Sequence, residues 1–301
     1  MRRYLLKILI FFSIAGILDV VFGYYCRSMQ PKAMYGNNHD IYHIANNANE
    51  DIIMMGSSRC HHHFVPSIIS DTMKMSCYNA GCDGNGIIYQ YGLLQLMLRS
   101  HKPKIIIYDF FPEYDISKND NLKYLDNLKP YVHESCINDI FKDFGFYERI
   151  KTYSSFYVFN SKFVQLIKDV KAPFVLTSNG YLANNKVMNY EPLYNVADYD
   201  IDSLKLQYWN KFIKTCRDNE IDLVITFSPF YKTIEWKDTK FINNLCNTNR
   251  ISFLNYYGMG YMNDEEKCYQ DPAHLNDLGA RKFSSQFASD LKTLIYESHL
   301  N

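Results

Sequence analysis

A serine, a histidine and an aspartate occur in short motifs that could together form a catalytic triad. Ser58 lies in Gly-Ser-Ser-Arg, directly after an apolar run. A serine at the end of a buried strand stands at the carboxyl edge of the sheet, where α/β proteins bind ligands. Asp271 and His274 are three residues apart in Asp-Pro-Ala-His. In a turn, this spacing lets the carboxylate hold one imidazole nitrogen while the other accepts a serine proton. Either motif alone is also typical of an ordinary turn.

A glycine-rich segment, Asn-Ala-Gly-Cys-Asp-Gly at 79–84, follows a second apolar run. Glycine amides at the end of a strand can donate hydrogen bonds to the oxyanion that forms when a serine attacks a carbonyl. The backbone N–H of Ser58 would point into the same space. The alternative interpretation is a plain turn between a strand and a helix.

Cys60 and the three histidines at 61–63 suggest a metal site at first sight. Consecutive residues on a helix point in different directions, whereas metal-binding histidines are usually spaced apart. The histidines are therefore expected to face substrate or to pack, and no metal is expected. The sequence also contains neither a phosphate-binding loop nor a dinucleotide fingerprint, so no cofactor is predicted.

The elements that must position these residues are short apolar runs separated by helical patterns. The runs predict five strands, at 51–56, 75–79, 104–109, 222–228 and 251–255. Continuous apolar strands that alternate with helices indicate a parallel sheet covered on both faces. The predicted fold is a three-layer α/β/α domain of the flavodoxin-like type. Asn276 is a suitable N-cap for a final amphipathic helix.

Residues 116–200 interrupt this alternation and are rich in Tyr, Asn and Lys. Helices are predicted near 138–150 and 160–170, with a turn at 178–180. A segment of this length is too long for a connection, which favours a lid or an acceptor-binding subdomain. Extra peripheral helices without a role are the alternative.

The N-terminus has the pattern of a membrane-spanning helix. Arg2, Arg3 and Lys7 precede or enter an apolar stretch, and residues 5–25 as a helix would be about 31 Å long, enough to cross a bilayer. The one-sided cations predict a cytoplasmic N-terminus and an extracytoplasmic body. An uncleaved signal anchor, a cleaved signal peptide and a buried helix are all open. The predicted organisation is an anchor at 1–27, a polar spacer at 28–47 and a domain at 48–301.

Composition narrows the function classes. The 301 residues carry 32 Lys plus Arg and 32 Asp plus Glu, a net charge of zero, which argues against a general nucleic-acid binder. The chain has eight cysteines, which could form disulfides in an oxidising compartment, but their pairing cannot be derived from the sequence.

Taken in chain order, the motifs resemble those of the SGNH (GDSL-type) hydrolase superfamily over residues 48–112 and 200–298. In that family one strand ends in Gly-Asp-Ser, the next ends in Asn-Ala-x-x-x-Gly, and Asp-x-x-His precedes the last helix. The resemblance implies a nucleophile, an oxyanion-binding block, an orienting acid and a general base, in the order Ser58, Gly84 with Asn79, Asp271 and His274.

Two positions depart from the family pattern. Ser57 replaces the aspartate of Gly-Asp-Ser, a variant that also resembles the membrane-tethered acyl-transfer proteins of bacterial envelope modification. Glu113 lies close to the position of a third-block asparagine, and an ionised carboxylate would repel an oxyanion. Arg59 or a backbone N–H would then have to supply the missing donor.

The resemblance implies a serine-dependent ester hydrolase or O-acyltransferase, with O-acetyl as the expected acyl group. The predicted substrate is an ester-bearing glycan or lipid of the cell envelope, with a membrane-bound acyl donor protein as a possible partner. Two alternatives are a catalytically degenerate, membrane-anchored glycan-binding protein and, more remotely, a metal-dependent hydrolase.

Overall fold

The computed structural model describes residues 1–172, 179–189, 200–231, 239–257, 262 and 265–298. Their strands are β1 Ile52–Gly56, β2 Cys77–Asn79, β3 Ile105–Asp109, β4 Asp222–Phe227, β5 Ser252–Asn255, β6 Tyr269–Asp271 and β7 His274–Leu275. The first five form one sheet in the order β2-β1-β3-β4-β5, and every neighbouring pair is parallel. All five lie within two residues of the predicted runs, which confirms the predicted sheet.

Helices cover both faces of this sheet. Those of the described residues are α1 Arg2–Met29, α2 Gly36–Asn46, α3 Ser58–His63, α4 Pro66–Met73, α5 Ile87–Met97, α6 Pro112–Asp115, α7 Ser135–Lys142, α8 Phe146–Lys151, α9 Ser155–Phe159, α10 Phe163–Lys171, α11 Ser203–Asp218, α12 Thr239–Asn249 and α13 Asp277–Ser298. Short 3₁₀ helices occur at Gln30–Lys32, Lys123–Leu125, Lys129–Tyr131 and Glu266–Cys268.

Two apolar cores separate the three layers. Successive side chains of a strand point to opposite faces of a sheet. Ile53 and Met55 of β1 therefore join the core under α2, α5 and α11, whereas Ile52 and Met54 join the core under α4 and α13. The three-layer α/β/α architecture is confirmed.

The order of the strands creates a crevice at the carboxyl edge of the sheet. β2 and β3 flank β1 on opposite sides, so the connections that leave β1 and β2 run in opposite directions. Parallel α/β sheets bind ligands at such a switch point. The chain segments that follow β1 and β3 border this crevice.

A small antiparallel hairpin, formed by β6 and β7, lies before the last helix. It pairs Asp271 with His274 across a two-residue turn. Asn276 then caps α13, because its side-chain oxygen accepts a hydrogen bond from the Gly279 N–H at 3.1 Å. The N-cap predicted from the sequence is thus present.

Residues 28–47 do not form the predicted spacer. Most of this segment is α2, whose Ile41, Ile44 and Ala45 are buried and which packs against α5. The spacing of these three residues gives a narrow apolar stripe on an otherwise polar, Asn-rich helix. The Tyr78 hydroxyl adds a 2.7 Å hydrogen bond to the Asp40 carboxylate. The segment is therefore part of the folded body.

The first helix is long and apolar enough to cross a membrane. Its large apolar side chains between Tyr4 and Val21 are exposed, which contradicts the alternative of a buried core helix. Toward its end, Gly23, Cys26 and Met29 are buried, and the helix packs against α9 and α10 of the inserted segment.

The inserted segment contains more breaks than predicted. The helix expected at 138–150 is two helices, α7 and α8, separated at Gly145, and the second predicted helix corresponds to α10. Of the turn predicted at 178–180, Asn179 and Gly180 form a turn with positive φ angles, and residue 178 lies outside the described residues. All eight cysteines carry free thiols.

Candidate active site

The turn after β1 requires glycine and delivers a serine to the crevice. Gly56 has φ +148°, and a Cβ at this position would lie 2.7 Å from the Asp109 carbonyl oxygen. Ser57 is extended, and Ser58 is the first residue of α3. The first N–H groups of a helix have no acceptor within the helix. The Ser58 amide is therefore available beside its own hydroxyl.

Ser58, His274 and Asp271 form one hydrogen-bonded chain. Ser58 Oγ lies 2.8 Å from His274 Nε2. His274 Nδ1 lies 2.9 Å and 3.0 Å from the two Asp271 carboxylate oxygens. A carboxylate can only accept, so Nδ1 carries the proton and Nε2 presents its lone pair to the serine. The structure brings together residues that are 216 positions apart in the sequence.

The hairpin holds Asp271 as an ionised carboxylate. Burial acts to raise its pKa, but the hydrogen bond and charge of His274 act in the opposite direction, together with the backbone N–H groups of Ala273 and His274. The net effect lowers the pKa of Asp271. These two N–H groups donate to Asp271 Oδ1 at 2.9 Å and 3.0 Å. Asp271 can thus orient the imidazole and stabilise a positive charge on it.

The neighbouring serine has a different environment. Ser57 is fully buried, and its hydroxyl oxygen has no hydrogen-bond partner among the described residues. Ser58 retains 9 % exposure, and its hydroxyl is hydrogen-bonded to the His274 imidazole. The geometry therefore distinguishes two serines that are adjacent in the sequence.

Asn79 is not available as an oxyanion donor. Its amide nitrogen donates to the carbonyl oxygens of Cys60 and Phe64 at 2.8 Å and 2.9 Å, and its oxygen accepts from the Gly81 N–H at 2.9 Å. The side chain joins the end of β2 to the carbonyls of α3 and the residue after it. The expected substrate-binding role is wrong, because Asn79 holds the nucleophile's helix in place.

Arg59 is also not available to an oxyanion. Its guanidinium is fully buried, with Nη2 donating to the Ser228 hydroxyl at 2.9 Å and to the Pro229 carbonyl at 3.1 Å, while Nε and Nη1 have no hydrogen-bond partner among the described residues. Three phenylalanine rings, Phe111, Phe227 and Phe230, lie within 5.2 to 5.4 Å of it. Arg59 follows the nucleophile in α3, but its charge is buried beneath the site.

Gly84 and Glu113 differ in their surroundings. Gly84 is half-buried, has φ +72°, and lies near the ring of Tyr124. Glu113 is exposed on α6, and no hydrogen bond or ion pair joins its carboxylate to the triad among the described residues. The backbone N–H groups of Gly84 and Ser58 remain candidates for an oxyanion site. Among the described residues, the Glu113 carboxylate has no contact that assigns it a role.

A second polar cluster lies beneath the triad and consists of Asp109, Ser228, His63 and Arg59. The Asp109 carboxylate accepts from the Ser228 N–H at 3.0 Å and from the Ser228 hydroxyl at 2.9 Å. His63 Nδ1 lies 2.9 Å from the same hydroxyl, and His63 Nε2 accepts from the Leu275 N–H at 3.0 Å. The cluster thus links the ends of β3 and β4 to the hairpin residue next to His274.

The charges in this cluster follow from its burial. Burial raises the pKa of Asp109 to about 6, although Arg59 and the Ser228 hydrogen bonds oppose the shift. Burial and the Arg59 charge hold the pKa of His63 well below its ordinary value. A neutral His63 agrees with its geometry, since Nε2 must accept the Leu275 N–H. This cluster was not predicted from the sequence. The one signal that could have indicated it is the position of Ser228 at the end of the predicted strand 222–228.

Two of the three consecutive histidines meet one carboxylate, which corrects the expectation that their side chains diverge. His61 Nδ1 lies 2.8 Å and His62 Nε2 lies 3.3 Å from Asp83 Oδ1. The three ligand atoms lie within 4.8 Å of one another, so this set could hold a divalent ion. The other nitrogen of His62 lies 2.7 Å from the Leu182 carbonyl.

A protonated His62 satisfies the same contacts without a metal. Its Nδ1–H donates to the Leu182 carbonyl, and only the imidazolium can also donate from Nε2 to Asp83. Burial acts to lower the pKa of His62, but the hydrogen bond and charge of Asp83 raise it overall. His62 lies beside the triad, with its ring centroid 5.9 Å from that of His274.

Residues 179–189 of the inserted segment lie against the site. The Leu182 N–H donates to the His61 carbonyl at 3.2 Å, and the Met188 N–H donates to the Tyr269 carbonyl at 2.8 Å. The segment therefore contacts both α3, which carries the serine, and the hairpin, which carries the base. It forms one wall of the crevice.

Comparisons with known proteins give only distant similarity. No protein-family model and no curated protein matches the chain. One similar solved structure, from Desulfitobacterium hafniense DCB-2, is assigned as a lipolytic protein of the G-D-S-L family, with 10 % identity, TM-score 0.42, and 80 % of this chain and 99 % of that chain covered. Another, assigned as an acylhydrolase of Bacteroides fragilis NCTC 9343, has 11 % identity, TM-score 0.35, and 86 % and 99 % coverage. Similarity at this level does not establish an activity for this chain.

Proposed function

We propose that the protein is a serine-dependent ester hydrolase or O-acyltransferase that uses Ser58, His274 and Asp271. The observation that carries this proposal is the continuous contact from the Ser58 hydroxyl through His274 to the Asp271 carboxylate, at 2.8 Å and 2.9 Å. This arrangement supplies a nucleophile, a base and an orienting acid in the order that acyl transfer needs. The motif resemblance to the SGNH superfamily agrees with the same assignment.

The proposed reaction has two acyl-transfer steps. Ser58 Oγ attacks the ester carbonyl while His274 Nε2 takes the serine proton, and the tetrahedral intermediate then expels the alcohol, which receives that proton from His274. In the second step, His274 deprotonates water or an acceptor hydroxyl, which attacks the acyl-serine. The products are a free acid or a new ester, and Ser58 regains its proton.

Backbone amides are the proposed oxyanion donors. The Asn79 side chain is occupied by internal contacts, and the Arg59 guanidinium is fully buried. The Ser58 N–H at the start of α3 and the Gly84 N–H on the neighbouring turn are the remaining candidates on these motifs. Helix N-terminal amides suit this task, because they carry partial positive charge and point toward the site.

Membrane attachment points to a substrate of the cell envelope. Removal of residues 1–27 as a signal peptide would also remove the buried Cys26 and the stacking of Phe22 on Phe156 at 4.9 Å. These contacts favour an uncleaved anchor, and the cations before it favour a body outside the cytoplasm. An anchored enzyme with an inserted wall at its crevice suits an ester-bearing glycan or lipid. An acyl donor held in the same membrane is the proposed partner.

The first test is labelling of the purified full-length chain in detergent with a fluorophosphonate, read by intact mass. One adduct is expected on the wild type and on Ser57→Ala, and none on Ser58→Ala. Labelling that survives in Ser58→Ala but not in Ser57→Ala would move the nucleophile by one residue. No adduct on folded wild-type protein would contradict an activated serine.

Hydrolysis and transfer differ in the fate of the acyl group. With an acetyl donor, an added polysaccharide acceptor should suppress free acetate and acquire label if the protein is a transferase. Free acetate that is unaffected by the acceptor would identify a hydrolase.

A glycan-binding protein without catalysis is the second candidate function. It is favoured by Glu113, which lies close to the position of the family's asparagine and leaves the oxyanion without a side-chain donor from that block. This candidate predicts glycan binding that Ser58→Ala does not change and no reaction with the fluorophosphonate.

A further inference from the structure

One corner of the inserted segment exposes large aromatic side chains. Phe146 is 69 % exposed, Tyr147 79 %, Tyr153 73 % and Phe156 48 %, all within eleven residues that span α8 and the start of α9. Ile150 is also exposed. We call residues 146–156 the aromatic corner. A soluble surface rarely concentrates so many large apolar side chains without a partner.

The aromatic corner is fixed to the first helix by specific contacts. The Asp19 carboxylate of α1 accepts from the Ser154 hydroxyl at 2.7 Å and from the Ser155 and Phe156 N–H groups at 2.8 Å each. Phe22 stacks on Phe156. These contacts supply hydrogen-bond donors to Asp19, the one carboxylate in the apolar stretch. They also fix the position of the aromatic corner along α1.

Close packing of α1 against the Ser155 side chain of α9 strengthens this attachment. A Cβ at Gly23 would lie 2.1 Å from the Ser155 hydroxyl oxygen, so only glycine fits between α1 and α9. On the other side of α1, Val20, Val21 and Tyr24 remain exposed. At this level, therefore, one side of α1 meets the corner and the other is open and apolar.

The length of α1 places the corner at the level of the bilayer. A perpendicular span needs about 20 residues, which from Leu5 reaches Tyr24. The body already contacts α1 at Asp19, about 7.5 Å before that point at about 1.5 Å per residue. The corner must then enter the membrane boundary. That depth is within the roughly 5–10 Å by which interfacial amphipathic segments bury their apolar face.

The charge of the surrounding segment suits the same location. Residues 142–171 contain six Lys and Arg and three Asp and Glu, although the whole chain is neutral. Tyrosine and basic side chains are typical of the headgroup region, and the cations attract anionic lipids.

We propose that the aromatic corner is a second membrane contact, inserted into the outer interface of the bilayer that α1 crosses. The proposal rests on the membrane anchor of the proposed function. The partner is the lipid surface itself, bound through the aromatic side chains at 146, 147, 153 and 156. Together with α1, the corner holds the body at a fixed height and orientation instead of leaving it on a tether.

The test uses single tryptophans in the full-length protein reconstituted into vesicles of phosphatidylcholine and phosphatidylglycerol. Tyr147→Trp and Tyr153→Trp probe the corner, Val21→Trp probes the anchor, and Tyr296→Trp is an exposed control on α13, in the layer on the opposite face of the sheet. Each emission is corrected for the native tryptophans with the wild type. Lipids brominated near the top of the acyl chain serve as the quencher.

We expect emission from positions 147 and 153 to fall as much as emission from position 21, with no loss at position 296. Quenching at 21 with corner positions that behave like 296 would overturn this inference and leave the anchor intact. No quenching at any position would overturn the anchor and this inference with it. Equal quenching at all four would contradict a defined contact.

Discussion

Two sets of serine, histidine and aspartate lie at the carboxyl edge of the sheet, and their hydrogen bonds run in different orders. In the upper set, His274 lies between Ser58 and Asp271. In the lower set, Ser228 lies between His63 and Asp109. The upper set is partly exposed, whereas the lower set is buried.

The order of the bonds decides what each set can do. His274 is held by a carboxylate and offers a free lone pair to Ser58, so it can take the serine proton. Ser228 already donates its proton to Asp109, and His63 uses both nitrogens for internal contacts. The lower set also has no access for a substrate. Residue types alone therefore do not define a catalytic site.

Removal of each serine should give the largest contrast. Ser58→Ala is expected to lower ester turnover by about 10⁴-fold or more with little change in stability, because it removes the nucleophile. Ser228→Ala should instead leave a buried carboxylate and a buried histidine short of partners, at a cost of about 1–3 kcal/mol. Turnover and thermal melting in detergent measure both. Equal loss of turnover in Ser58→Ala and Ser228→Ala, with both variants well folded, would contradict the assignment of Ser58 alone as the nucleophile.

The two carboxylates should differ in their effect on stability. Asp109→Ala removes the acceptor of the buried Ser228 N–H and hydroxyl, and each buried donor left without a partner costs about 1–3 kcal/mol. Asp271→Ala removes a partly exposed carboxylate and should destabilise less, while it strongly lowers turnover. Chemical denaturation of both variants tests this order, and a more stable Asp109→Ala than Asp271→Ala would contradict it.

The same carboxylates should respond to pH with opposite signs. The raised pKa of Asp109, about 6, means that the folded state holds its proton more tightly than the unfolded state, so this group's contribution falls as pH rises from about 4 through 6. The lowered pKa of Asp271 gives a contribution that is present above its ordinary value and is lost in acid, below about pH 4.

Differences between variants separate these two contributions from that of His63. Its lowered pKa makes stability rise with pH over part of the same range as Asp109. Melting curves should be compared with those of the wild type at each pH across this range. The stability of Asp109→Asn relative to the wild type should be highest above pH 6, and the stability of Asp271→Asn should be closest to that of the wild type in acid. The stability difference between variant and wild type should therefore rise with pH for Asp109→Asn and fall with pH for Asp271→Asn. The same direction of change for both variants would disprove the assignment.

Ser57→Ala should have the smallest effect. Its hydroxyl is buried without a partner among the described residues, so removal should leave stability unchanged or raise it by up to about 1 kcal/mol. Turnover should remain close to that of the wild type. A large loss of turnover would show that Ser57 contacts the substrate or positions Ser58.

The sheet and the triad motifs were predictable because their signals are local. Each of the five strands lies in a short, mostly apolar run, and Asp271 and His274 lie within one turn. The second helix was missed because its apolar stripe, Ile41, Ile44 and Ala45, is short and surrounded by asparagines. Its stability comes from packing on α5, which no local pattern reveals.

The errors within the site have a common physical origin. Arg59 and Asn79 are polar residues in the motifs, and the sequence does not show whether a polar side chain faces the crevice or the interior. The convergence of His61 and His62 depends on Asp83, which arrives from the turn after β2. Such contacts depend on where separate segments meet, and periodicity contains no information about that.

The distance in sequence between Ser58 and His274 also determines when, during synthesis of the chain, the serine can first become reactive. Chains are synthesised from the N-terminus at about 5–20 residues per second, so the hairpin with His274 follows Ser58 by about 10–40 seconds. Until β6 and β7 reach α3, the serine has no base. A protein exported through a membrane during synthesis would therefore carry its nucleophile across in an unreactive form.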